Sequence, residues 1–197
     1  MFSNYQIPKL LEKNLDTKHL LIHPSTDCVF NGKLKKGKYS KNKQPDAKDI
    51  YGKSKHLGEK ALLNRPNTLI IRVSIIGKNL YSKKNLLTWF LSSKKEIYGY
   101  NNHFWNGVTT LEWCKKVKYI IQQNNFKKKA KLYQLGTKKT YSKYEMLKIF
   151  KNFFKRKIKI ISIKKNFTNR CLKPDFFSSD LEKQLREFKL QKYYKKL

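Results

Sequence analysis

The strongest constraint on the fold of this 197-residue chain is the order of its apolar runs. Ile7 to Asn14 carries apolar residues at 7, 10 and 11, the spacing of one helix face, and reads as the end of an amphipathic helix. Leu20-Leu21-Ile22 follows as a short buried strand, closed by Pro24 and a polar turn. Residues 31–44 form a lysine-rich loop in which Asn31-Gly32 and Gly37 supply the turns. From Asp46 to Leu63 apolar positions recur near the helical period, and Thr68 to Val73 is the next buried strand. Parallel strands need a crossover, usually a helix. Helix, strand, long helix, strand is therefore the second half of a Rossmann-like, doubly wound parallel α/β sheet.

Beyond Gly77 the pattern changes to smaller elements. Helices are expected at about 84–92, 111–122, 142–154 and 179–188, and strands at 96–98, 131–135 and 157–163. This set predicts a small mixed α/β substrate lobe. The expected division is 1–77 for the Rossmann-like part and 78–197 mainly for the lobe, with segments free to cross between the two. No G-x-G-x-x-G run occurs in the sequence. A complete dinucleotide fold needs about three further strand–helix units, of roughly 30 residues each, ahead of Met1. The expectation is thus a truncated or split chain whose pyrophosphate-binding half is supplied by an amino-terminal Rossmann partner chain.

Composition bounds the partners. The formal charge of +33 invites a nucleic-acid reading, yet only five of the 46 basic residues are arginines (65, 72, 156, 170 and 186). Arginine is the preferred fork for phosphate and base contacts, so its scarcity makes nucleic-acid binding a weak reading. Lys, Asn, Ile, Tyr and Phe are abundant together and share A/T-rich codons, so a base-composition bias accounts for the charge. The runs Lys127-Lys128-Lys129 and Lys195-Lys196 are read as solvated, and Trp89, Trp105 and Trp113 as packing residues. The longest apolar runs are too short to span a bilayer, and the first residues lack the pattern of a signal peptide. Cys28, Cys114 and Cys171 lie far apart with no C-x-x-C spacing, which fits a reducing cytoplasm. His19, His23, His56 and His103 show no metal-ligand spacing, so no metal is expected.

Three segments carry the candidate chemistry. Ser25-Thr26-Asp27 follows directly on a buried strand, and ligands of open parallel sheets sit outside such strand ends. A hydroxyl there can hold a substrate carbonyl for attack, although the triplet alone also reads as a turn or a helix cap. Tyr51 and Lys55 are spaced to share one face of the long helix, one turn apart. A phenol with a pKa of about 10 is a poor acid or base at neutrality, and a neighbouring ammonium lowers it. The same spacing recurs at Tyr144 and Lys148; only Tyr51 stands between a strand-end Ser-Thr and a second buried strand. The third segment, Leu69 to Gly77, should bring Ser74 and Ile75 to the same crevice. Arg170 could reach a nucleotide diphosphate or serve a structural surface role.

Together S-T-D-C-V-F-N-G, Y-G-K-S-K-H-L-G-E-K and T-L-I-I-R-V-S-I-I-G resemble the extended short-chain dehydrogenases, closest to the dTDP-4-dehydrorhamnose reductase group and its sugar-nucleotide-binding relatives. Gly99-Tyr100-Asn101 with Phe104 to Glu112 resembles the substrate lobe of that group. The resemblance implies NADPH- or NADH-dependent reduction of a nucleotide-linked 4-keto sugar. It implies catalytic roles for Thr26, which orients the keto oxygen, Tyr51, the proton donor, and Lys55, which binds the nicotinamide ribose and lowers the tyrosine pKa. Cofactor binding is implied for Ser25, Tyr51, Lys55 and Ser74, and substrate binding for Thr26, Asp27, Ile75 and Arg170. The rhamnose-forming members carry a tryptophan where this chain has Ile75, which points to a different sugar. The alternative is a non-catalytic sugar-nucleotide-binding module.

Overall fold

The computed structural model describes residues 2–78, 85–123 and 129–190, the last three without their side chains. Lys84, Lys127, Lys128, Lys195 and Lys196 lie outside the described residues, whereas Lys129 is exposed. A π-helical turn, Phe2–Gln6, leads into helix α1 (Ile7–Asn14). Strand β1 (Leu21–Thr26) ends in a single helical turn at Asp27–Val29, and the long loop leads to helix α2 (Ile50–Leu62). Strands β2 (Thr68–Val73) and β3 (Ile75–Ile76) precede helix α3 (Leu86–Ser92). Strands β4 (Glu96–Tyr100), β5 (His103–Trp105) and β6 (Val108–Thr109) follow, then helix α4 (Thr110–Gln123). Next come β7 (Lys131–Thr137), β8 (Tyr141–Ser142) and α5 (Lys143–Phe153). The described chain closes with β9 (Lys159–Ile163), β10 (Thr168–Asn169), β11 (Phe176–Ser178) and α6 (Leu181–Leu190).

The main sheet has the order β1-β2-β7-β11, all pairs parallel. It is a Rossmann-like sheet, as the alternation of helices and apolar strands predicts. Every residue of β2 is buried, as the central strand of a doubly covered sheet requires. Full burial of Leu69, Ile70 and Ile71 contributes about 1.5–3 kcal/mol each. Strands β7 and β11 lie beyond residue 77 yet return to this sheet, so the lobe is threaded back through the Rossmann part. The sequence pattern shows that residues 131–135 are a strand but not which strand they pair with.

Strand β1 continues through Pro24 instead of closing before it. Leu21 donates its N–H to the Asn67 carbonyl at 2.8 Å, so it faces β2. Alternate residues point their amides to opposite sides, which turns residues 22, 24 and 26 away from β2. The missing N–H of Pro24 therefore removes no bond to β2, and among the described residues that side of β1 is an open edge.

Three apolar clusters hold the chain. Leu69, Ile71 and Val73 of β2 pack with Val117 and Ile120 of α4 and Leu135 of β7. In the lobe, Phe90, Trp105, Tyr141, Met146 and Phe150 form a larger cluster joined by Leu181 and Leu185 of α6. Val29, Phe30, Tyr39 and Leu172 fasten the long loop, with the Phe30 and Tyr39 rings stacked at 4.2 Å. Helix α5 is started by a capping box in which Ser142 and Glu145 each satisfy the other's backbone N–H.

The lobe meets the end of β2 at Gly107. The Val108 N–H donates to the Ser74 carbonyl at 2.9 Å, and a Cβ on Gly107 would stand 1.8 Å from that same oxygen. Gly107→Ala is expected to cost about 2 kcal/mol or more, because the clash is with backbone that cannot rotate away. Urea denaturation measures it, and an unchanged midpoint would show that this junction can slide.

Candidate active site

The site forms where β1 and β2 end. Thr26 caps the turn that follows β1: its oxygen accepts the Cys28 N–H at 3.1 Å and its hydroxyl donates to Asp27 Oδ1 at 3.1 Å. The cap and the substrate-facing hydroxyl foreseen for this triplet are thus one residue. Helix α2 starts beside it, capped by Asp49, which accepts the Gly52 N–H at 2.8 Å. A Cβ on Gly52 would stand 2.1 Å from the Cys28 carbonyl oxygen, so only glycine lets the helix approach the strand end this closely. That approach carries Tyr51 to Thr26.

Tyr51 is 50% exposed, its phenol open to the crevice. Burial of the remainder pushes its pKa above the ordinary tyrosine value; the Thr26 hydroxyl, near enough to bond it, pulls back, and Cys28, Asp27 and Asp49 add to the rise. Lys55 takes another partner in this structure. Its ammonium donates to the Pro24 carbonyl at 2.5 Å and is not among the groups acting on Tyr51. Its own pKa is lowered by burial, with Glu59 opposing. The shared helix face is real, but the lysine bends to the strand.

Ser25 does not reach the crevice either. Neighbouring side chains of a strand point to opposite faces, and Ser25 turns under α2 to donate to Glu59 Oε1 at 2.5 Å. Glu59 also accepts Arg72 Nε on Oε1 and Arg72 Nη2 on Oε2, both at 2.8 Å, with His56 Nδ1 3.3 Å from Oε2. Desolvation acts to raise the Glu59 pKa, but the bonds from Arg72, His56 and Ser25 together with the Arg72 charge hold it down at about 2. A sequence signal existed: Tyr51, Lys55 and Glu59 fall at i, i+4 and i+8 of one helix.

Across the crevice, Ser74 follows β2 and its hydroxyl lies beside Asp27. Ile75 is 42% exposed although it pairs with Val108 in β3–β6, so it presents an apolar surface to the opening. Asp27 is enclosed enough that desolvation raises its pKa, while Lys143, Thr26, Arg170 and Ser74 pull it down. Arg170 is at the site but occupied as a clamp. Its Nε donates to the Phe30 carbonyl at 2.9 Å, Nη1 faces Cys28 Sγ at 3.6 Å and Nη2 faces Asp49 at 3.5 Å. Lys143, at the start of α5, has no counterpart in the sequence reading, since nothing local distinguishes it from the other lysines. Among the described residues no group of His, Cys, Asp and Glu is arranged to hold a metal, no helix is long and apolar enough to cross a membrane, and the three cysteines are free thiols.

A parallel sheet with Thr26 and Tyr51 at its strand ends and Lys55 one helical turn on is the arrangement of a Rossmann-like chain. Residues 6–193 match the family described as RmlD substrate binding domain, and the chain belongs to that family. No curated protein sequence matches it. Among solved structures it is similar to a dTDP-4-dehydrorhamnose reductase of Clostridium acetobutylicum, with a TM-score of 0.78 and 19% identity over 94% of this chain and 70% of that one. The dTDP-4-dehydrorhamnose reductase of Bacillus anthracis, in complex with NADP, gives 0.78 and 18% over 95% and 71%. A dTDP-glucose 4,6-dehydratase of Streptomyces venezuelae with NAD and TYD bound gives 0.70 and 14% over 97% and 67%. At these identities the likeness is one of fold.

The two buried titrating groups under α2 set the acid response of the fold. Burial holds His23 neutral, its pKa lowered from 6.5 to about 4 with Lys55 adding and Glu59 opposing. A lowered folded pKa gives stability that is complete above the unfolded value and drains as pH falls to the folded one. Stability is therefore expected to fall first between pH 6.5 and 4, by roughly 3 kcal/mol through His23. It falls again between 4.5 and about 2 through Glu59. Urea midpoints against pH test this: His23→Leu should remove the upper stage and Glu59→Gln the lower. A single stage unaffected by either variant would refute the assignment.

Proposed function

We propose that the chain reduces a nucleotide-linked 4-keto sugar with a nicotinamide cofactor, and that it belongs to polysaccharide-forming chemistry in the cytoplasm. The observation that carries this reading is the meeting of Thr26 and Tyr51 hydroxyls at the end of β1, with Lys55 one helical turn further on. Thr26 orients the keto oxygen, and Tyr51 protonates it as the carbonyl carbon is reduced. A bound nicotinamide would supply the hydride.

The donor set fits the nicotinamide-ribose end of such a cofactor. An ammonium has three N–H donors, and Lys55 commits one to Pro24, which leaves two for ribose hydroxyls. The pyrophosphate end has no glycine-rich turn among these 197 residues. In this reading a glycine-rich β-α-β half, an amino-terminal Rossmann partner, completes the cofactor site along the open side of β1. The apolar residues Ile22, Trp113, Val117 and Ile121 beside that edge support such a neighbour. Ser74, Asp27 and Ile75 line the sugar's place, and Ile75 favours a sugar other than the rhamnose precursor. The absence of a pyrophosphate turn also favours a second reading, a sugar-nucleotide-binding module without turnover.

The test is oxidation of NADPH and NADH with a panel of 4-keto nucleotide sugars, with and without a glycine-rich half added in trans. Activity is expected with that half, and Tyr51→Phe should lower kcat by about 10²–10⁴. Activity that survives the substitution overturns the mechanism, and none with any substrate favours the binding module.

A further inference from the structure

Thr26 has no hydrogen-bonding capacity to spare. A hydroxyl has one proton to give and two lone pairs that accept. The Thr26 proton goes to Asp27 Oδ1 at 3.1 Å, and one lone pair takes the Cys28 N–H at 3.1 Å. The Tyr51 phenol stands within bonding reach of the other. Only 7% of Thr26 is exposed, so protein groups and not solvent hold these places. The three side chains form one line, from Tyr51 in the open crevice through Thr26 to Asp27.

That line has two settings. With Asp27 ionised, the carboxylate holds the Thr26 proton and Thr26 meets the crevice with a lone pair alone. With a proton on Asp27 the bond reverses: the carboxyl donates to Thr26, and the Thr26 hydrogen is free for an oxygen in the crevice. Asp27 is half-buried and not sealed, so water can reload it. Desolvation disfavours its charge, against the pull of Lys143 at the head of α5 and Arg170 after β10. Among the described residues the other titrating groups that face it are Cys28, Tyr51 and Cys171. Lys55, one turn from Tyr51, is turned to the Pro24 carbonyl and leaves this side of the phenol to Thr26.

We infer that Asp27 is a positioning residue: acting through Thr26, it sets the direction of that hydroxyl and returns to Tyr51 the proton that Tyr51 gives the sugar. This rests on the ketoreductase reading above and adds to it the source that recharges the phenol. As the carbonyl carbon is reduced, the sugar oxygen takes the phenol proton and Tyr51 is left as a phenolate. The Thr26 O–H bond breaks as the Tyr51 O–H bond forms, and the Asp27 O–H bond breaks as that of Thr26 is restored. No electrons leave or enter the line, and the Asp27 carboxylate takes its next proton from water. Ordinary acidities, about 10 for a phenol and about 4 for a carboxyl, set the direction of the transfer.

The chain alone tests the line. Tyrosine is labelled with carbon-13 at Cζ and aspartate at Cγ, and Tyr51→Phe and Asp27→Asn assign the two signals. The Tyr51 signal is expected to carry a step at the pH where Asp27 titrates. Thr26→Val lacks the hydroxyl and should remove the step, whereas Thr26→Ser should keep it; Thr26→Ala replaces the valine variant if circular dichroism shows that one unfolded. A step that survives loss of the hydroxyl is a charge effect through space and overturns the inference, as does a parent with no step. Turnover with the glycine-rich half in trans gives a second reading. Asp27→Asn still donates to Thr26 but releases no proton, so kcat is expected to fall about tenfold or more with KM within about threefold. Asp27→Glu should recover part of that loss. A raised KM with kcat unchanged makes Asp27 a substrate ligand, which overturns the inference and leaves the ketoreductase reading standing. A parent without turnover on any sugar overturns both.

Discussion

The buried pairing of Glu59 with Arg72 is the contact on which the rest of the site depends. The carboxylate comes from α2, the guanidinium from β2 and the third partner, Ser25, from β1, so one group fixes a helix over two strands. Arg72 extends the hold to the long loop, donating to the Lys41 carbonyl at 3.2 Å and lying over the Phe30 ring at 5.3 Å. Removing one member of such a pair typically costs 3–5 kcal/mol because the other is left buried and charged. Tyr51 and Lys55 stand on the turns before Glu59, so the pair that anchors the helix also decides where its reactive residues arrive. Arg65 does similar work at the opposite end of the strands, where its guanidinium gathers the carbonyls of Leu15, Asp16, Pro66 and Asn67.

The alternation of helices and apolar strands through residue 73 was readable because local spacing determines it, and the motifs singled out Thr26 and Tyr51 as candidates for one site. What could not be read depends on partners distant in sequence. Ser25 and Thr26 look equivalent in the chain, and only the alternation of side chains across β1 sends one to Glu59 and the other to the crevice. The strand near residue 131 shows its period but not its neighbours, and it lies against β2. Lys55 was expected to act on Tyr51 because both share a helix face, yet the Pro24 carbonyl is a nearer claim on its flexible ammonium. Pro24 seemed to end β1, since the direction of its missing N–H is settled only by the register with β2.

The charge of +33 divides into two populations with different consequences. Most lysines are solvated, whereas several of the 13 acidic residues are engaged in contacts that hold the fold. Asp46 fastens Asn31, Asp175 bonds Gln134 and Lys41, Glu145 caps α5, and Glu59 locks the sheet. Carboxylates drawn into backbone and buried contacts leave few to neutralise the surface. The basic balance is thus a property of what remains outside, and Lys143 differs from the other lysines by position alone.

Pro24 has a consequence for how this sheet meets other chains. On the open side of β1 the middle rung has no donor, because proline lacks an N–H, and its acceptor already holds Lys55. Two copies of the chain cannot zip together along β1 by a continuous backbone ladder, since the register breaks at its centre. A neighbour on that side must be chosen by the shape of its side chains against Ile22 and α4. The edge therefore discriminates between a fitted companion and indiscriminate self-association.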